Sequence, residues 1–151
     1  TLSDLLIALS LSPDSVWLVS PWVSDFDLLD NRSGLWDGLQ PSWGPRLVKF
    51  SELLAMALNA GCKLKLVTTD TKANLQFFRR VQHNITESDS AVHLIEEKLH
   101  TKGLLCSAFF LAGSMNFTYS GTYRNDERVR LSIDPDEISE AKLEFETRYQ
   151  V

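Results

Sequence analysis

Short apolar runs and segments of helical period take turns along the first half of this chain, and that alternation constrains its fold more than any other feature. Ser15–Ser20 (SVWLVS) is a brief apolar run stopped by Pro21, the pattern of a buried strand. Arg46–Ala60 (RLVKFSELLAMALNA) carries apolar residues at helical spacing, and Gly61 follows as a C-terminal cap. Cys62–Thr68 (CKLKLVT) alternates and then runs apolar, as a strand does. Lys72–Gln82 reads as a second helix, with Asn74, Leu75, Phe78 and Val81 on one side. Ala91–Lys98 reads as a strand, Gly103–Ala112 as two short strands with a turn near Ser107, and Arg128–Ile133 as another strand. Pro135 then opens a final helix, with Asp134 as its cap and Asp136 and Glu137 in its first turn. The expected product is one α/β domain over residues 1–151, a mixed sheet with helices on both faces.

Pro21–Pro45 interrupts this order with a stretch rich in Asp, Gly, Pro and Trp and without a sustained period. Connections of that length are uncommon in a compact domain and often functional. A lid, a partner-binding loop, or an insertion with a short helix near Asp27–Asp30 all fit it. The opening residues, TLSDLLIALSLSPDS, lack a basic leader and read as an amphipathic helix rather than a signal peptide. The absence of an initiator Met points to a start that was trimmed or lies upstream. No apolar run approaches the roughly 20 residues that a membrane-spanning helix needs. No repeat is visible within the chain.

Composition narrows the chemistry. A net charge of −5 argues against a broad DNA-coating surface, though a local basic site can sit on an acidic protein. Cys62 and Cys106 lie in apolar runs without CxxC spacing and read as reduced, buried thiols of a cytoplasmic protein. Two scattered cysteines and three histidines make no metal-ligand cluster, and no cofactor is expected. Asp25, Asp27 and Asp30 lack the ligand spacing of a calcium loop. Trp17, Trp22, Trp36 and Trp43 suit core and interface packing better than base stacking. Lys72, Arg79 and Arg80 read as a solvated helix face, His83 as a helix-end cation and His93 as a sheet histidine.

The chemistry concentrates in His100–Glu127, HTKGLLCSAFFLAGSMNFTYSGTYRNDE. Residues two apart on a strand share a face, so His100 and Lys102 are expected to project together. After an apolar hairpin the chain returns at Gly113, which allows close backbone approach to an anion, with Ser114 and Asn116 as neutral donors. An imidazole, an ammonium, a hydroxyl and an amide around one pocket suit a phosphodiester. Developing charge on the phosphoryl oxygens takes the donors, and the imidazole serves as nucleophile or proton carrier. No carboxylate cluster suggests a two-metal mechanism.

This combination of HxK, GSxNFT and a Glu eleven residues beyond the Asn resembles the signature of the phospholipase D superfamily, closest to its small single-motif bacterial endonucleases. The likeness covers about His100–Ile133 residue by residue, and the preceding element order agrees with that fold. It implies that His100 is the nucleophile that forms a phosphohistidine, that Lys102, Ser114 and Asn116 bind phosphate oxygens, and that Glu127 orients the imidazole. The family pattern continues HxKxxxxD, whereas Ser107 stands at the Asp position here, and the hairpin before Gly113 is one residue short.

Family chemistry uses two histidines, and this chain has one HxK, so the resemblance implies a half-site completed by a second copy in a twofold homodimer. The resulting expectation is a metal-independent phosphodiesterase, a nuclease with DNA as the favoured substrate and no membrane partner. The SPWVSDFDLLDN run further resembles phospholipase D-like proteins of DNA-modification and phage-defence clusters, including the 7-deazapurine system, which implies other subunits as partners. Two alternatives stay open. One is a catalytically weak nucleic-acid-binding or assembly subunit, and the other is a lipid phosphodiesterase.

Overall fold

The computed structural model describes residues 15–113 and 129–150. The eight strands and three helices in this range run β1 (Ser15–Val19), β2 (Asp27–Asp30), β3 (Leu47–Lys49), α1 (Phe50–Asn59), β4 (Lys63–Thr68), α2 (Lys72–His83), β5 (Ala91–Ile95), β6 (Gly103–Leu105), β7 (Phe110–Gly113), β8 (Val129–Ser132) and α3 (Pro135–Arg148). Six strands form one sheet in the order β5-β4-β1-β6-β7-β8. The β5, β4 and β1 strands run parallel, while β6, β7 and β8 join antiparallel, so the sheet is mixed as expected.

Strand alternation sorts β1 between two cores. Val16 and Leu18 face a large cluster under α1 and α2 that contains Phe50, Leu54, Phe77 and Val81. Trp17 and Val19 face the other side, where α3 packs Ala141 and Phe145 against Val67 and Leu105. Helices therefore cover both faces. Phe145 stacks obliquely on Trp17 at 5.7 Å and meets Phe110 edge-on at 5.9 Å.

Local signals hold at several element ends. Gly61 has φ +115° just past α1, and paired hydrogen bonds from Gly61 N to Leu58 O and Cys62 N to Ala57 O close the helix. Asp134 accepts a hydrogen bond from Asp136 N at 3.0 Å and caps α3, with Pro135 in the first turn. Cys106 N donates to Phe109 O, closing the β6–β7 hairpin around Ser107. Both cysteines are buried, and they form no disulfide.

The structure corrects the sequence reading in four places. The helix expected from Arg46 starts at Phe50, because Leu47–Lys49 pairs with β2 instead. Its first turn is held from afar: Asp25 accepts from both Ser51 N at 2.9 Å and Ser51 Oγ at 2.7 Å. The short helix near Asp27–Asp30, one of the three readings of that stretch, is instead strand β2. On α2 the fully buried aromatic is Phe77 rather than Phe78, which is half-buried over His93. The strand expected over Ala91–Lys98 ends at Ile95.

The connection from Pro21 to Pro45 is organised about one side chain. Asn31 is fully buried, donates to Asp37 Oδ1 and Gly44 O, and accepts from Trp36 N. Satisfying three partners turns a long polar stretch into packed structure, with Trp43 buried beneath it. The N-terminal amphipathic helix read from the sequence lies outside the described residues.

Candidate active site

The parallel strands β1 and β4 end at Val19 and Thr68, and β6 begins opposite that end, with Gly103 in register with Val19. In sheets of this kind the crevice beyond the carboxyl ends of the parallel strands is where ligands bind. The His100–Lys102 segment enters β6 at this edge. β7 returns to it and finishes at Gly113, which pairs with Val129 at the start of β8.

His100 and Lys102 lie in the segment before β6 rather than on a strand, so the two-residue alternation expected of them does not apply. The segment is held at both ends. Leu99 is buried in the cluster beneath α3, and its N–H closes a turn on Glu96 O. Gly103 sits so close to the α3 face that a Cβ there would come within 3.1 Å of the Phe110 ring and 3.4 Å of Phe145. Between these anchors His100 is exposed and Lys102 half-buried. His100 makes no hydrogen bond or ion pair with another described residue. A cleft of about 350 Å³ opens beside it, walled in part by Glu96, Lys98 and Arg148.

Arg148, on the last turn of α3, is a neighbour the sequence reading missed. Its guanidinium lies 3.4 Å from Thr101 Oγ1 and pairs with Glu144 at 3.1 Å. A basic residue closing the helix was the only local signal, and nothing in the sequence placed it beside Thr101. Ser114, Asn116 and Glu127 lie outside the described residues. Ser107 is exposed at the opposite end of β6 from His100.

The other titratable candidates are accounted for by structure. His93 Nε2 lies 2.8 Å from Thr68 Oγ1, and its ring packs 4.9 Å from Phe78. Burial pushes the His93 pKa down, opposed by the nearby Asp70 charge. Arg80 reaches the buried Asp25 carboxylate at 3.3 Å, which ties α2 to the start of α1. His83 is exposed at the end of α2. Among the described residues no group of three His, Cys, Asp or Glu side chains could hold a metal ion, and no helix is long and apolar enough to cross a membrane.

A mixed sheet between helical layers, with an HxK segment entering at the crevice edge, is the architecture of a phospholipase D-like fold. The chain belongs to the phospholipase D-like family: the family model described as "Cardiolipin synthase, PLD-like domain" matches residues 44–149. Among solved structures it is similar to Nuc, a phospholipase D family member from Salmonella typhimurium, at 13% identity and a TM-score of 0.66 over 97% of this chain and 85% of that one. NucT from Helicobacter pylori overlaps with a TM-score of 0.59 at 12% identity, covering 95% of this chain and 84% of that one. TrmBL2, an archaeal chromatin protein whose structure shows a novel mode of DNA binding, overlaps with a TM-score of 0.59 at 13% identity, over 97% of this chain and 47% of that one. No curated protein matches the chain in sequence.

Proposed function

We propose that the protein is a metal-independent phosphodiesterase acting on nucleic acid, with two copies of the chain building one active centre. The carrying observation is the placement of the His100–Lys102 segment. His100 is exposed and Lys102 half-buried on either side of Thr101 at the crevice edge, in a segment held between the buried Leu99 and the tightly packed Gly103. Such anchoring pre-organises a nucleophile without burying it. A single HxK supplies only one imidazole, whereas the reaction needs a nucleophile and a separate proton donor, which a twofold pair supplies.

In this reading one His100 attacks phosphorus in line. The bond to the leaving oxygen breaks, and the protonated His100 of the second copy donates a proton to that oxygen. Water then attacks the phosphohistidine as the second imidazole takes its proton. This releases the phosphate monoester and returns both histidines to their starting states. Lys102, Ser114 and Asn116 of both copies hold the non-bridging oxygens, where charge develops. Glu127 orients each imidazole and stabilises its cation. DNA is the substrate this reading favours, with a role in DNA modification or phage defence alongside further subunits.

Purified protein incubated with plasmid DNA in excess EDTA tests the proposal. Nicking that persists in EDTA and disappears in His100→Ala supports it; nicking that survives His100→Ala removes the nucleophile assignment. Ser107, at the position of the family's Asp, favours a second reading as a binding or assembly subunit that retains the fold. In that case DNA is retained on the protein without cleavage. Turnover of a chromogenic phosphodiester without DNA cleavage moves the substrate toward another ester, a lipid among them.

A further inference from the structure

The cleft beside His100 draws its wall from two parts of the fold. Glu96, Lys98, His100 and Thr101 come from the connection that follows β5, and Arg148 comes from the last turn of α3. Among these described residues two permanent cations stand against one carboxylate, on a chain whose net charge is −5. A local excess of positive charge at a cleft concentrates anions there whatever the sign of the remaining surface. Lys98 is exposed and makes no ion pair with another described residue.

Arg148 is the better placed of the two cations. Its Nη1 lies 3.4 Å from Thr101 Oγ1, a contact across 47 positions that brings the guanidinium to the HxK segment. Thr101 adjoins His100, and consecutive Cα atoms are about 3.8 Å apart. A nucleic-acid strand carries a phosphate at about every 3.4 Å of helix axis, so a strand with one phosphate at His100 brings the adjoining one to a cation this close. The guanidinium is also accessible. Its other Nη pairs with Glu144 at 3.1 Å, but the two side chains are 53% and 55% exposed, and ion pairs so exposed contribute little. A phosphate accepts from two guanidinium N–H groups at once and so replaces a weak pair with a bidentate one.

We propose that Arg148, assisted by Lys98, binds the phosphate that adjoins the scissile one, so that the cleft takes a substrate with phosphates in series. The assignment rests on the nucleic-acid reading above and gives Arg148 a substrate-binding part in it.

Fluorescence anisotropy of a short fluorescein-labelled DNA, single-stranded and duplex, tests it on the full chain carrying His100→Ala, in EDTA over a series of KCl concentrations. On the form that binds, adding Arg148→Gln is expected to weaken binding about tenfold and to make the logarithmic salt dependence shallower by about one. Arg148→Lys keeps the charge without the fork and is expected to restore the salt dependence with part of the affinity. Glu144→Gln removes the carboxylate that competes with phosphate and is expected to tighten binding. Unchanged affinity and salt dependence in Arg148→Gln overturn the assignment and leave the nucleic-acid reading standing. Equal or weaker binding in Glu144→Gln does the same, because the pair is then structural. A loss in Thr101→Val as large as that in Arg148→Gln also overturns it, because Arg148 then acts through the HxK segment. Binding of neither DNA form overturns both the assignment and the nucleic-acid reading.

Discussion

Asn74 and Val23, 51 positions apart in the chain, meet through a buried hydrogen bond in which the Val23 backbone N–H donates to Asn74 Oδ1 at 2.8 Å. Asn74 Nδ2 donates in turn to Pro21 O at 2.8 Å and Thr69 O at 2.9 Å. One side chain from α2 thus satisfies three backbone groups on the loops that leave β1 and β4, at the edge where His100 stands. Asn74→Ala strands those groups and is expected to cost about 3 kcal/mol. Urea denaturation should show a lower midpoint at an unchanged slope.

The α3 face depends on one ring in the same way. Phe145 is 2% exposed and touches Trp17, Phe110 and Tyr149. Phe145→Ala opens a cavity and is expected to destabilise the protein by about 3–5 kcal/mol. Near-ultraviolet circular dichroism, which reports the packing of Trp17, should weaken before the far-ultraviolet signal on heating.

Asp134 supplies the cap that begins α3. Asp134→Ala leaves Asp136 N without its side-chain acceptor and is expected to lower stability by about 1 kcal/mol. Asp134→Asn keeps the acceptor and should recover most of that loss, as read from denaturant midpoints.

His93 gives the fold a predictable pH response. Burial pushes its folded pKa below the ordinary value of 6.5, so the unfolded chain takes up a proton before the folded protein does. Stability is therefore fully present above about pH 6.5 and falls on acidification through the window between the unfolded and folded pKa values. His93→Gln removes this titration, and its melting temperature should depend less on pH between about 7 and 5 than that of the parent protein.

The paired-histidine proposal makes a quantitative prediction for mixtures. If each centre uses both His100 side chains, hybrid dimers of parent and His100→Ala chains are inactive. Nicking activity after subunit exchange should then follow the square of the parent fraction. A linear dependence would mean that each chain works alone.

The sequence disclosed those parts of the molecule that are written locally. Pro135 with Asp134 marked the start of α3, and Gly61 marked the end of α1, because caps depend on residues within one turn. The hairpin about Ser107 and the strand SVWLV were equally plain. Leu47–Lys49 was misread because its apolar spacing suits helix and strand alike, and only β2, brought back by the Asn31-centred connection, decides between them. Phe77 and Phe78 were exchanged for a related reason. Adjacent aromatics both lie near the helix's apolar side, and His93 on β5 is what holds Phe78 at the boundary.

Sequence alone therefore determined the alternation of strands and helices, the end of α1, the start of α3, and the chemical character of the His100–Lys102 segment. Tertiary structure decided that Asn74 ties the β1 and β4 loops together, that Arg148 stands beside Thr101, and that His100 and Arg148 share a cleft wall. The first group depends on torsional preference and hydrogen bonds within a few residues. The second depends on which distant groups a folded chain brings within about 3–4 Å, where dispersion and hydrogen bonding take effect.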